Sequence, residues 1–189
     1  MLASGARLGY DLLVGVPPHR APSALRDPGL VNDAGWVMVD RRTLRTSFER
    51  VYAVGDATSI TVANGKPLPK AGVFAHAEAV AAGGELAAAL AGATSRQAFD
   101  GHGCCWLETG EGRAAFADGD FHAEPDPIVG LRRPGRVWHA GKVLFERCWL
   151  SSGLAHRLSA AALSGAGGLV GVRAELWAGC RWHAALIRS

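Results

Sequence analysis

Short apolar runs punctuated by Gly and Pro alternate with two longer amphipathic stretches along this chain. Tyr10 to Val16 is predicted as a buried strand, entered through a turn at Gly5-Ala6-Arg7 and ended by Pro17-Pro18. Pro22 to Gly29 reads as a loop with a short helical turn. Gly35 to Asp40 alternates well enough for a strand, and Arg41 to Thr46 is polar with turn or cap residues at Thr43 and Thr46. Val51 to Val54 is a β-branched apolar run closed by Gly55-Asp56. It predicts a buried strand that delivers a carboxylate to its C-terminal end, where open α/β sheets bind ligands.

Thr58 to Pro69 is expected to be a long loop, with Asn64-Gly65, Pro67 and Pro69 as its breakers; loops of that length are usually functional or disordered. Ala71 to Leu90 then predicts a helix whose apolar face is Val73, Ala77, Val80, Gly84, Ala87 and Leu90. Gly83-Gly84 weakens it or permits close packing. Residues 103–122 predict a β-hairpin turning at Gly110-Glu111-Gly112, with a second turn at Asp118-Gly119. Glu124 to Pro127 is extended, and Trp138 to Leu150 is an amphipathic helix. Beyond Ser151 no period is found, and Gly165-Ala166-Gly167-Gly168 breaks the pattern further. That tail is read as a degenerate extension or as a basic, Trp-containing membrane-surface segment.

Charge refines this little. Residues 151–189 carry four Arg against Glu175 alone, so the rest of the chain is balanced. No basic stripe with interleaved aromatics supports nucleic-acid binding. Cys104, Cys105, Cys148 and Cys180 lack metal-ligand spacing, so no metal is expected. Neither a signal peptide nor an apolar run long enough to span a bilayer is recognised, and the default expectation is a reducing, cytoplasmic setting.

Three groups of residues could carry chemistry. Asp56 serves either as a turn cap or as a ligand carboxylate. Lys66 to Phe74 is a Pro-rich entry into the helix, with Lys70 as a solvated charge or a cation beside a ligand. Cys105 is a small hydrophobe or a redox thiol.

The run from Thr46 through Val51–Val54 to Gly55-Asp56 resembles the second flavin-binding motif of the pyridine nucleotide-disulfide reductase superfamily, in which the Asp accepts hydrogen bonds from the ribityl chain of FAD. The Lys66–Phe74 stretch resembles the branch holding sulfide:quinone oxidoreductases, flavocytochrome c sulfide dehydrogenases and type II NADH dehydrogenases. There the start of this helix supports negative charge on the reduced flavin, which points to the amides of Gly72, Val73 and Phe74, with Lys70 as an added charge. Cys105 to Phe116 resembles the sulfide:quinone oxidoreductase segment carrying a redox-active cysteine. Tyr10 to Pro22 is similar to the strand returning from the nucleotide-insertion domain, and the terminal helix to an element by which several members touch membrane.

The resemblance implies an α/β fold, a partial Rossmann-like FAD/NAD(P)-binding domain with a C-terminal hairpin and helix. Residues 1–20 would end the NAD(P) or insertion domain, 21–100 would form the C-terminal half of the FAD domain, 101–150 the hairpin and helix, and 151–189 the tail. The implied site is Gly55, Asp56, Lys70, Gly72, Val73 and Phe74 for FAD, with Cys105 catalytic. The implied partners are flavin, then quinone, sulfide or NAD(P)H, and a peripheral contact with the inner face of the plasma membrane. No GxGxxG turn occurs in the sequence, so the expectation is a C-terminal fragment of such an enzyme. A type II NADH dehydrogenase-like or ferredoxin-reductase-like enzyme, and an inactive fragment, are the other readings.

Overall fold

The computed structural model describes residues 4–5, 7, 9–26, 29–94 and 97–151, with 158, 161–162 and 165 of the tail. Readings of the remaining tail, Cys180 included, lie outside the described residues. The elements are β1 (Val37–Met38), β2 (Thr58–Ser59), α1 (Gly72–Leu90), β3 (His102–Gly110), β4 (Arg113–Asp120), β5 (Ile128–Leu131) and α2 (Arg136–Leu150). β1 and β2 pair in parallel, and β3-β4-β5 form an antiparallel sheet. The fold is mixed α/β and consistent with a partial Rossmann-like domain.

Two hydrophobic clusters hold it together. In the first, Leu44, Ile60, Val62, Leu68 and Phe99 pack against Phe74 and Ala81 of α1. In the second, Phe116 and Cys148 are fully buried between β4 and α2, with Trp106, Trp138, Leu144 and Phe145 around them. Cys148 is thus a packing residue. Phe74 bridges toward the sheet: its ring meets Phe121 edge-on at 5.0 Å.

A tight turn feeds the first cluster. Asp40 Oδ1 accepts the Thr43 and Arg42 N–H groups at 2.8 and 3.1 Å and the Thr43 hydroxyl at 2.8 Å. These bonds, the Thr43 N–H foremost, hold the Asp40 carboxyl below its ordinary value. The turn delivers Leu44, at φ +61°, into the core with no exposed surface. A carboxylate whose folded pKa is depressed contributes stability above its unfolded value and loses it as pH falls through the folded one. Asp40→Asn should therefore cost up to about 1 kcal/mol at neutral pH, Asp40 being solvent-exposed. The gap to wild type should close in acid, as read by urea unfolding at both pH values.

Several expectations need correction. Tyr10 to Val16 is neither a strand nor buried; Val14 is 86% exposed, because no neighbouring strand among the described residues pairs with it. Val51 to Val54 is extended but not a buried strand. Among the described residues its one ladder contact is the bridge from Tyr52 to Arg45, and Val51 and Val54 are exposed. Thr58 to Pro69 is an ordered hairpin: Val62 N–H donates to Lys66 O at 2.9 Å and Leu68 N–H to Ile60 O at 2.8 Å, around Asn64-Gly65. Gly65 takes φ +80°, as such a turn requires.

The buried face of α1 is Phe74, Glu78, Ala81, Ala82 and Glu85, one position round from the predicted stripe, and Leu90 is exposed. Asp118-Gly119 is not a turn but lies inside β4. There a Cβ on Gly119 would come within 2.5 Å of Ile128 O on β5, a strand that the sequence reading missed. α1 is also long and apolar enough to cross a membrane by length and composition, contrary to expectation. Its two buried glutamates find polar partners on other elements, as a core helix requires: Glu85 pairs with Arg45 at 2.5 Å, and Glu78 belongs to the site below.

Candidate functional site

The hairpin from Leu44 to Ala53 runs directly into a 3₁₀ turn at Gly55–Ala57. Gly55 sits at φ +70°, and a Cβ there would approach the Ala75 side chain to 3.2 Å. Glycine thus meets both a dihedral and a packing demand. Its N–H donates to Glu78 Oε2 at 2.5 Å, and its carbonyl accepts the Thr58 hydroxyl at 2.8 Å. Asp56 follows with its side chain exposed, and its carboxylate has no hydrogen-bond donor among the described residues.

Lys70 does not stand free beside a ligand. Its Nζ donates to the main-chain carbonyls of Asp56 at 2.6 Å and Thr58 at 3.0 Å, and lies 3.8 Å from the centre of the Trp36 ring. Trp36 is itself placed by Asn32, whose Oδ1 accepts the Trp36 N–H at 3.0 Å. Partial burial lowers the Lys70 pKa, against the pull of Asp56 and Glu78. Burial likewise raises the Glu78 carboxyl above its ordinary value, opposed by the Gly55 N–H and by Lys70, with Asp56 adding to the rise.

α1 begins beside this turn. Its N-cap, Ala71, offers no side-chain cap, and the N–H groups of Phe74 and Ala75 donate to Ala71 O at 3.1 and 3.0 Å. That leaves the Gly72 and Val73 amides without an acceptor among the described residues. The expected use of the Phe74 amide is corrected accordingly. The Phe74 ring belongs to the core, 4% exposed.

The first turn of α1 separates two cavities. One, of about 150 Å³, is lined by Trp36, Gly55, Asp56, Lys70, Phe74 and Glu78. The other, of about 550 Å³, is lined by Gly72, Val73, Cys105, Trp106, Phe145 and Trp149 among others. Ala71 borders both. The predicted residues are therefore brought to one helix end but divided between its two sides. Cys105 is exposed on β3, while burial, then Cys105 and Asp118, pushes the Cys104 thiol up to about 12. Cys104 is thus the less accessible member of the pair. Lys142, across the same cavity, is neutralised by Glu146 at 2.6 Å and Glu108 at 3.2 Å.

Sequence reasoning missed Glu78 and Trp36. Glu78 carried a signal: a lone carboxylate four residues after Phe74, followed by the apolar run Ala79 to Ala82. Trp36 carried none, because its role depends on Lys70 folding back over it. No group of metal-binding side chains occurs among the described residues.

This geometry can be set beside known proteins. The chain is 28% identical over 117 residues to the mitochondrial sulfide:quinone oxidoreductase of Mus musculus, a match covering 61% of this chain and 25% of that protein. The similarity supports a relationship to the flavoprotein oxidoreductases. The matched segment is thus about a quarter of the relative's length. No family model matches the chain.

Proposed function

We propose that this chain supplies the sugar-and-ring side of a flavin site in an oxidoreductase of the sulfide:quinone type. One observation carries the reading. Among the described residues, the exposed Asp56 carboxylate without a donor and the Gly72 and Val73 amides without an acceptor flank the same helix start, on either side of Ala71, so that a ligand lying across Ala71 would meet both. The first is an acceptor for hydroxyl groups. The second, at the positive end of α1, favours negative charge on a ring above it. Bound FAD would supply two-electron chemistry; the protein supplies position and electrostatics.

Cys105 sits on the far side of that helix start, in the larger, aromatic-lined cavity. Its exposure suits a thiol that meets a sulfur substrate, and the flat aromatic walls suit a quinone acceptor. α2 ends in the exposed pair Trp149 and Leu150, which favours a peripheral membrane contact at that end.

Titration of the purified chain with FAD and with riboflavin tests this. Both should quench the tryptophan fluorescence saturably, with affinities within about tenfold of each other, because the described residues grip the hydroxyl chain and not the phosphates. Absence of saturable binding by either would sink the reading. In a flavin-loaded sample, sulfide should join the Cys105 thiolate as a persulfide while the two electrons and the proton released pass to the flavin and bleach its absorbance, and Cys105→Ser should abolish that bleaching.

A further inference from the structure

The Gly55–Ala57 turn is held far more tightly than a surface turn requires. Glu78, only 2% exposed, accepts the Gly55 N–H; the Thr58 hydroxyl donates to the Gly55 carbonyl; Lys70 donates to the carbonyls of Asp56 and Thr58. The Asp56 carboxylate is left over, without a donor among the described residues.

Burying a carboxylate is costly unless it is hydrogen-bonded or paired. Core packing alone would be served at position 78 by an apolar side chain, as it is at Phe74 and Ala81 of the same face. What the carboxylate adds is a fixed point for one N–H, the one immediately before Asp56. Lys70 adds the second fixed point, at the carbonyl of Asp56 itself.

We propose that Glu78 is a positioning residue for Asp56: with Lys70, it sets the direction in which the turn offers its free carboxylate to the hydroxyl chain of the flavin. The assignment rests on the flavin reading for what Asp56 meets, but not for how the turn is held. Glu78 acts through Gly55 and is not a catalytic residue.

The test compares wild type, Glu78→Ala, Glu78→Gln and Glu85→Ala as full chains. Amide hydrogen exchange is followed at Gly55, with Phe99 as the reference core amide because its N–H donates to Arg42 O at 2.8 Å. FAD affinity is measured in parallel. In Glu78→Ala, Gly55 should exchange about tenfold faster relative to Phe99, and FAD should bind about tenfold more weakly, the loss of one bond to a charged acceptor. Glu78→Gln keeps an acceptor oxygen and should recover most of both. Glu85→Ala, which removes the other buried glutamate, should move Gly55 and Phe99 together.

Two results would overturn the assignment: Gly55 exchange in Glu78→Ala that merely tracks Phe99, or faster Gly55 exchange with FAD affinity unchanged. If wild type binds no FAD, the flavin reading falls, and the exchange data still decide whether Glu78 holds the turn. If Glu78→Ala does not fold, the Gly55 amide proton shift decides. It should follow the titration of Glu78 in wild type and lose that dependence in Glu78→Gln; a shift indifferent to pH in wild type would refute the contact.

Discussion

Phe74→Ala should destabilise the chain by about 3–5 kcal/mol, the largest effect of any single substitution considered. The ring is 4% exposed and lies edge-on to both Phe121, at 5.0 Å, and Phe99, at 6.2 Å. It also fills the space above Gly103, where an added Cβ would come within 2.3 Å of the ring. Removing it opens a cavity at the seam between α1, the 44–68 hairpins and β3, and each wall belongs to a different element, so none can collapse alone. Domains are usually stable by about 5–15 kcal/mol, so the variant should be marginal or unfolded at physiological temperature. Urea unfolding checks this; a loss below about 1 kcal/mol would mean that the seam is not packed as described.

Asp56→Ala should do the reverse: little to stability, much to binding. The side chain is exposed, so stability should change by no more than about 0.5 kcal/mol. A carboxylate accepting two hydroxyl donors gains about 1.5 kcal/mol or more from each, so its loss should weaken flavin binding by about 100-fold. Asp56→Asn keeps an acceptor oxygen and should fall between. Fluorescence titration beside a urea curve separates the two quantities. Equal flavin affinity in wild type and Asp56→Ala would remove Asp56 from the site.

These two residues show what the sequence could and could not disclose. The long helices were legible because their periods are long: α1 begins within one residue of its predicted start and α2 two residues before. The β3–β4 hairpin was legible because Gly110-Glu111-Gly112 separates two alternating runs. Short elements were less so. β1 falls inside the strand predicted over Gly35 to Asp40 but is only two residues long, and β2, also two residues, is too short for alternation to register. The 58–69 hairpin did carry a signal, Ile60 and Val62 alternating into Asn64-Gly65, but two prolines drew the reading toward a loop.

The face of α1 was misjudged for a physical reason. Pattern reading sends charge outward, whereas Glu78 and Glu85 turn inward to Gly55 and Arg45. Tyr10 to Val16 failed in the opposite way: its apolar content fits a strand, but a strand is stabilised by its neighbours, and none pairs with it among the described residues. At the site, the Gly55-Asp56 turn closing an extended run was legible. That Lys70 spends its charge on the turn and on Trp36 was not, because it depends on a chain reversal that no local window contains.

Of their described lining residues the two cavities share Ala71 alone, so a substitution in the lining of one leaves the walls of the other unchanged. Exchanges at Cys105, Trp106 or Trp149 would retune what the larger chamber admits while leaving the Asp56 chamber intact. The two chambers can thus diverge in what they accept while still sharing the same helix end.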